Sequence, residues 1–194
     1  MLTLSPSLGK VPPMDALEKE ILLSREVIAK RVQELAASIS RDYEGSELIV
    51  IGILKGAFIF MADLIRHLTI PCRIDFVRLA SYGANQESMG KVIITKDIET
   101  SIKDRDVLVV EDIIDTGYTL SFLVDWLKER NPKSLKVCTL LDKRGRRKTP
   151  FEADYVGFSI DNFFVVGYGL DFDENDRNFA DIYALKPLMG GKKK

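Results

Sequence analysis

The sequence predicts an α/β fold with a mostly parallel central sheet flanked by helices. Short apolar runs alternate along the chain with segments of helical periodicity, which is the pattern of strands joined by helices. The run at 107–110 and the run Leu48–Leu54 are apolar almost throughout, as in strands buried on both faces. In such folds ligands bind beyond the carboxyl ends of the strands. The loops of interest therefore follow Leu54, Val110, Leu141 and Tyr168.

The elements follow in order. Apolar residues at near-helical spacing from Ile21 to Ile39 predict a first helix, with Ser24 as its N-cap and an end near Asp42. A polar, glycine-containing stretch at 81–90 separates two of the later strands. The remaining predictions are strands at 48–54, 74–79, 92–95, 107–110, 135–141, 155–159 and 165–168, and helices at 57–67 and 119–130.

Composition excludes several classes of protein. The chain has 194 residues, 46% of them hydrophobic, enough for the core of one domain. Its 28 Lys and Arg nearly balance its 29 Asp and Glu, which argues against a general nucleic-acid coat protein but leaves a local basic patch open. No apolar stretch approaches the roughly 20 residues that cross a bilayer, so we expect no membrane contact.

The sequence also predicts the domain organisation and the cellular location of the protein. We expect a flexible segment at 1–14, a single domain at 15–188 and a flexible tail at 189–194. Cys72 and Cys138 each lie in an apolar run, which favours two buried thiols over a disulfide. A reducing, cytoplasmic environment fits this expectation, and no secretory signal begins the sequence.

The strongest motif follows the strand at 107–110. Glu111, Asp112 and Asp115 come first, and a short turn then opens a helix. The turn consists of Thr116, Gly117, Tyr118 and Thr119. Its N–H groups and hydroxyls would favour a phosphate at the helix N-terminus, whereas the carboxylates can accept from sugar hydroxyls, hold a hard cation or take a proton. The combination suits a phosphorylated sugar with Mg²⁺.

The run from Val109 to Gly117 resembles the phosphoribosyl pyrophosphate (PRPP) motif of type I phosphoribosyltransferases, and more narrowly that of the hypoxanthine-guanine phosphoribosyltransferases. The resemblance extends from about Ile21 to Lys186. It implies Mg²⁺-dependent transfer of a phosphoribosyl group from PRPP to hypoxanthine or guanine, which gives IMP or GMP and pyrophosphate. It also implies a small hood built from the chain ends, and a homodimer or homotetramer.

Within this motif the resemblance implies distinct roles. Residues 115–119 would bind the 5′-phosphate. Glu111 and Asp112 would bind the ribose hydroxyls, directly or through Mg²⁺. Asp115 would lie near purine N7 as a general base or hydrogen-bond acceptor. For any one of these residues, an ordinary acidic strand-to-helix connection remains the alternative.

Two further motifs resemble the pyrophosphate side of the family's site. Leu54, Lys55 and Gly56 match its pyrophosphate loop, in which the Leu–Lys peptide bond can be cis. Ser81 and Tyr82 match the start of a lid that excludes water. The alternatives are a surface lysine and a plain hairpin loop.

Two more motifs resemble the base pocket. Lys143 matches the lysine that donates to the purine 6-oxo group, and Phe164 matches the aromatic residue that stacks on the purine. The backbone at Val165 and near Asp171 would meet the base edge, Asp171 would also bind Mg²⁺, and Arg177 would contact pyrophosphate. The cluster Arg144, Arg146, Arg147 and Lys148 is expected to be a solvated loop, with a nucleic-acid patch as the alternative.

The chain departs from the family at Asp161 and Asn162, which replace a common Pro-Asp pair, so we expect a looser loop before the stacking aromatic residue. Three other functions remain open at this point. They are a PRPP-sensing regulator that binds nucleic acid, a phosphoribosyltransferase for xanthine or adenine, and an interaction domain with a vestigial site. We expect no nucleic-acid partner.

Overall fold

A computed structural model describes residues 17–82 and 91–187. The helices are α1 (Arg25–Asp42), α2 (Phe58–His67) and α3 (Tyr118–Lys128). The strands are β1 (Leu17–Leu23), β2 (Leu48–Leu54), β3 (Cys72–Tyr82), β4 (Lys91–Lys96), β5 (Asp106–Ile114), β6 (Ser134–Asp142), β7 (Tyr155–Ser159), β8 (Phe164–Val166) and β9 (Ile182–Pro187).

Six strands form the main sheet in the order β4-β3-β2-β5-β6-β7. All neighbouring strands are parallel except β4, which is antiparallel to β3. Alternate residues of β2 enter two different cores: Leu48 and Val50 pack in one with α1 and α2, and Ile49 and Ile51 pack in the other with α3. The prediction of a mostly parallel sheet between helices is therefore confirmed.

The register brings the carboxyl ends of three central strands together. Gly52 of β2 pairs with Val110 of β5, and Ile114 of β5 pairs with Asp142 of β6. Strand β5 runs four residues beyond the predicted 107–110, so Glu111 and Asp112 lie within the strand and not in the loop after it. This edge of the sheet holds the candidate site.

A second sheet of three antiparallel strands has the order β1-β9-β8. The sequence did not predict β1 or β9, and the assignment of Ile21 to the first helix was wrong: Ile21 lies in β1 and is 56% exposed. Helix α1 begins after Ser24, whose side chain accepts a hydrogen bond from the Val27 N–H. The helix thus begins at the predicted N-cap and ends at Asp42, as the sequence predicts.

The outer edge of β7 is partly covered by α1. The Arg31 guanidinium donates to the carbonyl oxygens of Gly157 at 2.9 Å and Val156 at 2.8 Å. These two hydrogen bonds tie α1 to the terminal strand of the main sheet. None of the helices in the described ranges has the length and apolar character needed to cross a membrane.

Candidate active site

The turn between β5 and α3 has the geometry of an anion site. Gly117 caps α3 with a φ of +87°, a left-handed conformation that favours glycine. Its carbonyl accepts from the Ser121 N–H at 2.9 Å, which begins the helix. The free N–H groups of the first turn and the helix dipole both favour a negatively charged ligand here.

A buried carboxylate, that of Glu111, and a half-buried one, that of Asp112, lie just before this turn. Burial, and then the charge of Asp112, raise the pKa of Glu111 well above its ordinary value. Burial also raises the pKa of Asp112. The ionised forms of two adjacent carboxylates with little solvent exposure are stabilised by a bound cation or by hydroxyl donors. The donor set therefore fits a sugar diol, a hard metal ion or both.

The loop after β2 packs directly against this pair. The Leu54–Lys55 peptide bond is cis. A Cβ at Gly56 would clash with the Asp112 carboxylate, and a Cβ at Gly169 would clash with the Gly56 carbonyl. Both positions therefore require glycine for space. They bring three segments that are distant in sequence into one contact.

Arg177 extends this contact. It donates to the Gly169 carbonyl at 2.8 Å and pairs with the Asp171 carboxylate at 2.8 Å. Its guanidinium also reaches Glu174 at 3.2 Å, and Lys55 pairs with the same Glu174 oxygen at 2.9 Å. The structure thus brings Lys55, Asp171 and Arg177 together at one side of the site.

Glu174 joins two cations of this cluster and was not predicted as a site residue. Hydrogen bonds from Lys55 and then Arg177 lower the pKa of the Glu174 carboxyl. The only signal in the sequence was the acidic run that contains it, and such a run is usually a solvated surface. Its two partners lie 119 and 3 residues away, so local spacing could not identify both of them.

Lys143 and Asp115 follow the ends of β6 and β5, and their charges interact. Lys143 is 8% exposed, and burial lowers its pKa, against the opposing effect of the Asp115 charge. The backbone N–H of Lys143 donates to the Ile114 carbonyl at 2.9 Å, which fixes the backbone beside Asp115. Arg146 pairs with Asp115 at 2.6 Å. Two cations and a carboxylate are therefore available together at this edge of the sheet.

Phe164 and not its neighbour presents an open aromatic face. Phe164 is 49% exposed, and its ring lies edge-on to that of Phe172 with 5.2 Å between the ring centroids. Phe163, in contrast, packs against the core. Val165 is buried beside it. Arg146 donates to the Asn162 side chain at 3.2 Å, so the loop that lacks the proline is tied to the phosphate turn.

Two other predictions have different outcomes. Ser81 and Tyr82 lie at the end of β3, and the rest of the predicted lid, 83–90, lies outside the described residues. The expectation that the basic cluster is a solvated loop is wrong for Arg147, whose side chain is only 14% exposed because it pairs with the buried Asp142. Arg144, in contrast, is 70% exposed.

No three His, Cys, Asp or Glu side chains in residues 17–82 and 91–187 lie close enough to form a complete metal site by themselves. Mg²⁺ commonly binds through one or two protein carboxylates together with water and substrate phosphates. The arrangement of Glu111, Asp112 and Asp171 is compatible with that mode of binding.

A mostly parallel sheet that ends in an acidic pair and a phosphate turn is the arrangement of the phosphoribosyltransferase class. The family model for the phosphoribosyl transferase domain matches residues 19–173. More narrowly, the chain belongs to the hypoxanthine-guanine phosphoribosyltransferase family. It is 48% identical over 171 residues to the hypoxanthine-guanine phosphoribosyltransferase of Bacillus subtilis. The matched region covers 88% of this chain and 95% of the relative.

Solved structures agree. A hypoxanthine-guanine phosphoribosyltransferase from Bacillus anthracis is 51% identical, with a TM-score of 0.83, covering 86% of this chain and 98% of that one. A hypoxanthine phosphoribosyltransferase from Trypanosoma cruzi, in a ternary substrates complex, is 43% identical with a TM-score of 0.83, covering 89% of this chain and 97% of that one.

Proposed function

We propose that this chain is a purine-salvage enzyme that transfers the 5-phosphoribosyl group from PRPP to hypoxanthine or guanine. The products are IMP or GMP and pyrophosphate. The observation that carries the proposal is the convergence of three groups at one sheet edge. These groups are the phosphate turn at Gly117, the acidic pair Glu111 and Asp112, and the pair Lys143 and Asp115, and all lie where β5 and β6 end.

The base pocket selects a 6-oxopurine. Lys143 is a cation with N–H donors only, which suits an oxo group and disfavours the amino group of adenine. Phe164 offers an exposed ring for stacking, and the backbone at Val165 and near Asp171 meets the edge of the base. Asp115 accepts the proton from N7 as the bond from N9 to ribose forms.

The sugar phosphate lies across the turn. The N–H groups and hydroxyls of residues 115–119 bind the 5′-phosphate, which the dipole of α3 also stabilises. Glu111 and Asp112 accept hydrogen bonds from the ribose hydroxyls. When these carboxylates are ionised, they also stabilise positive charge that develops on the ribose ring as pyrophosphate departs.

The leaving group lies near the contact of Gly56 with Gly169. Arg177, Lys55 and the backbone at Leu54 bind the departing pyrophosphate, and Ser81 and Tyr82 contribute from the lid. Mg²⁺, held by Asp171 and on the ribose side by Glu111 and Asp112, would neutralise phosphate charge as a Lewis acid. To release Arg177 for pyrophosphate, its pairs with Asp171 and Glu174 must loosen.

The same proposal covers assembly and location. We infer a homodimer or homotetramer from the family resemblance. We also infer a cytoplasmic enzyme, which the free thiols of Cys72 and Cys138 support, although Cys72 is half-buried and not buried as expected. We infer a single catalytic domain at 15–188.

The test is a substrate panel. Purified protein with Mg²⁺ and PRPP is offered hypoxanthine, guanine, xanthine or adenine, and the nucleotide formed is quantified. We expect turnover with hypoxanthine or guanine, none with adenine, and loss of turnover when Mg²⁺ is chelated. PRPP binding without turnover on any base would overturn the proposal and favour a PRPP-binding regulator.

A further inference from the structure

The segment at 147–149 packs directly against the phosphate turn. A Cβ at Gly117 would clash with Thr149 Oγ1 and would lie 3.3 Å from Arg147 Nη1. The Lys148 N–H donates to the Thr116 carbonyl at 2.9 Å. Two side chains and one backbone hydrogen bond thus fix the turn from the β6 side.

Arg147 is itself firmly held. It donates through Nη2 to the Asp142 carboxylate, which is only 5% exposed at the end of β6. Arg144 pairs with the same carboxylate at 3.2 Å, but its side chain is 70% exposed and it is not among the nearest contacts of Gly117. The carboxylate therefore anchors two guanidinium groups, one in solvent and one behind the turn.

The contact at Gly117 contains two unsatisfied polar atoms. Arg147 Nη1 and Thr149 Oγ1 are both buried, and neither has a hydrogen-bond partner in the described part of the chain. A buried donor without a partner is destabilising, so a ligand that accepts from it gains affinity. A guanidinium and a hydroxyl are the donors that proteins commonly aim at phosphate.

We propose that Arg147 and Thr149 are positioning residues of the 5′-phosphate subsite. Arg147 fixes the left-handed turn at Gly117 and adds a positive charge behind its N–H groups, and Thr149 completes the packing on the same glycine. The proposal deepens the proposed function and rests on it. Neither residue takes part in proton transfer or contacts the purine.

The experiment compares a ligand that carries the 5′-phosphate with one that does not. Dissociation constants of IMP and of magnesium pyrophosphate are measured by calorimetry for the wild type, Arg147→Gln, Arg147→Lys and Thr149→Val. Steady-state KM values for PRPP and hypoxanthine are measured alongside. Arg144→Gln is the matched control, because it removes a guanidinium from the same carboxylate without touching Gly117.

We expect Arg147→Gln to weaken IMP binding and raise KM for PRPP by about tenfold or more, because the turn loses the charged group that fixes it. Pyrophosphate binding and KM for hypoxanthine at saturating PRPP stay near the wild-type values. Arg147→Lys restores part of the IMP affinity because it keeps the charge. Thr149→Val, which is isosteric, weakens IMP binding by a smaller factor, and Arg144→Gln leaves all four values unchanged.

Equal losses for IMP and pyrophosphate, together with a lower melting temperature, would mean a general structural role and overturn the proposal. Unchanged IMP binding in Arg147→Gln would overturn it as well. If Arg147→Gln does not fold, Thr149→Val decides, since unchanged IMP affinity in that variant also counts against the proposal. Failure of the proposed function is separate: there the wild type itself would not turn over PRPP with a 6-oxopurine.

Discussion

Asp115 directly precedes the phosphate turn and its charge acts on Lys143, and we propose its carboxylate as the group that accepts a proton. We expect Asp115→Asn to lower the single-turnover rate by about 10²–10⁴-fold, because the amide cannot act as a base. KM for PRPP should change far less. Asp125→Asn on α3 is the control, since that side chain is 78% exposed and remote from the turn. A normal single-turnover rate would refute the role.

Lys143 gives a prediction about pH. Burial lowers the pKa of this amine below its ordinary value of 10.5, so its charge is lost at a lower pH than that of an exposed lysine. As pH rises through this lowered pKa, kcat/KM for hypoxanthine should fall. The measurement is a pH profile between neutrality and about pH 10.

Hypoxanthine also loses a proton in alkaline solution, so the comparison is with Lys143→Arg, which remains charged throughout. The ratio of wild-type to variant kcat/KM should decline with pH below 10.5. A constant ratio across the range would show that the Lys143 charge does not control purine recognition.

At the scale of elements, the start of α3 depends on Gly117. Gly117→Ala should destabilise the fold by about 1–3 kcal/mol, from the positive φ and the overpacking against Thr149. Denaturant unfolding measures the loss. Gly145→Ala lies in the loop that follows β6, where a Cβ meets nothing within 4 Å, and should be nearly neutral. Equal stability of the two variants would contradict the packing described for the turn.

How far the sequence predicted these elements depended on burial. Strand β2 was predictable because it is apolar on both faces, and α3 because a glycine turn precedes its apolar stripe. Strand β1 has the sequence LEKEILL, with four exposed residues in succession, so it has neither strand alternation nor a continuous apolar run. Its partner β9 lies more than 150 residues away. Local patterns carry no information about such pairing.

The same distinction applies to the candidate site. Asp115, Lys143 and Arg177 could be proposed because each belongs to a motif whose residues are contiguous. The burial of Arg147 could not, because it depends on Asp142 of β6 and on the space left by Gly117. From sequence alone a run of basic residues predicts a solvated loop, because the carboxylate that pairs with one of them cannot be identified.

At the scale of the whole molecule, the pairing of β1 with β9 makes completion of the three-stranded sheet depend on the order of chain synthesis. Among the described strands β1 leaves the ribosome first and β9 last. During nearly all of translation β1 therefore has no partner for its backbone, and the charged side chains of Glu18, Lys19 and Glu20 separate this open edge from other nascent chains. A chain released before β9 is made would keep the backbone of β1 unpaired. Cellular quality control could use this exposed edge to distinguish an interrupted chain from a complete one.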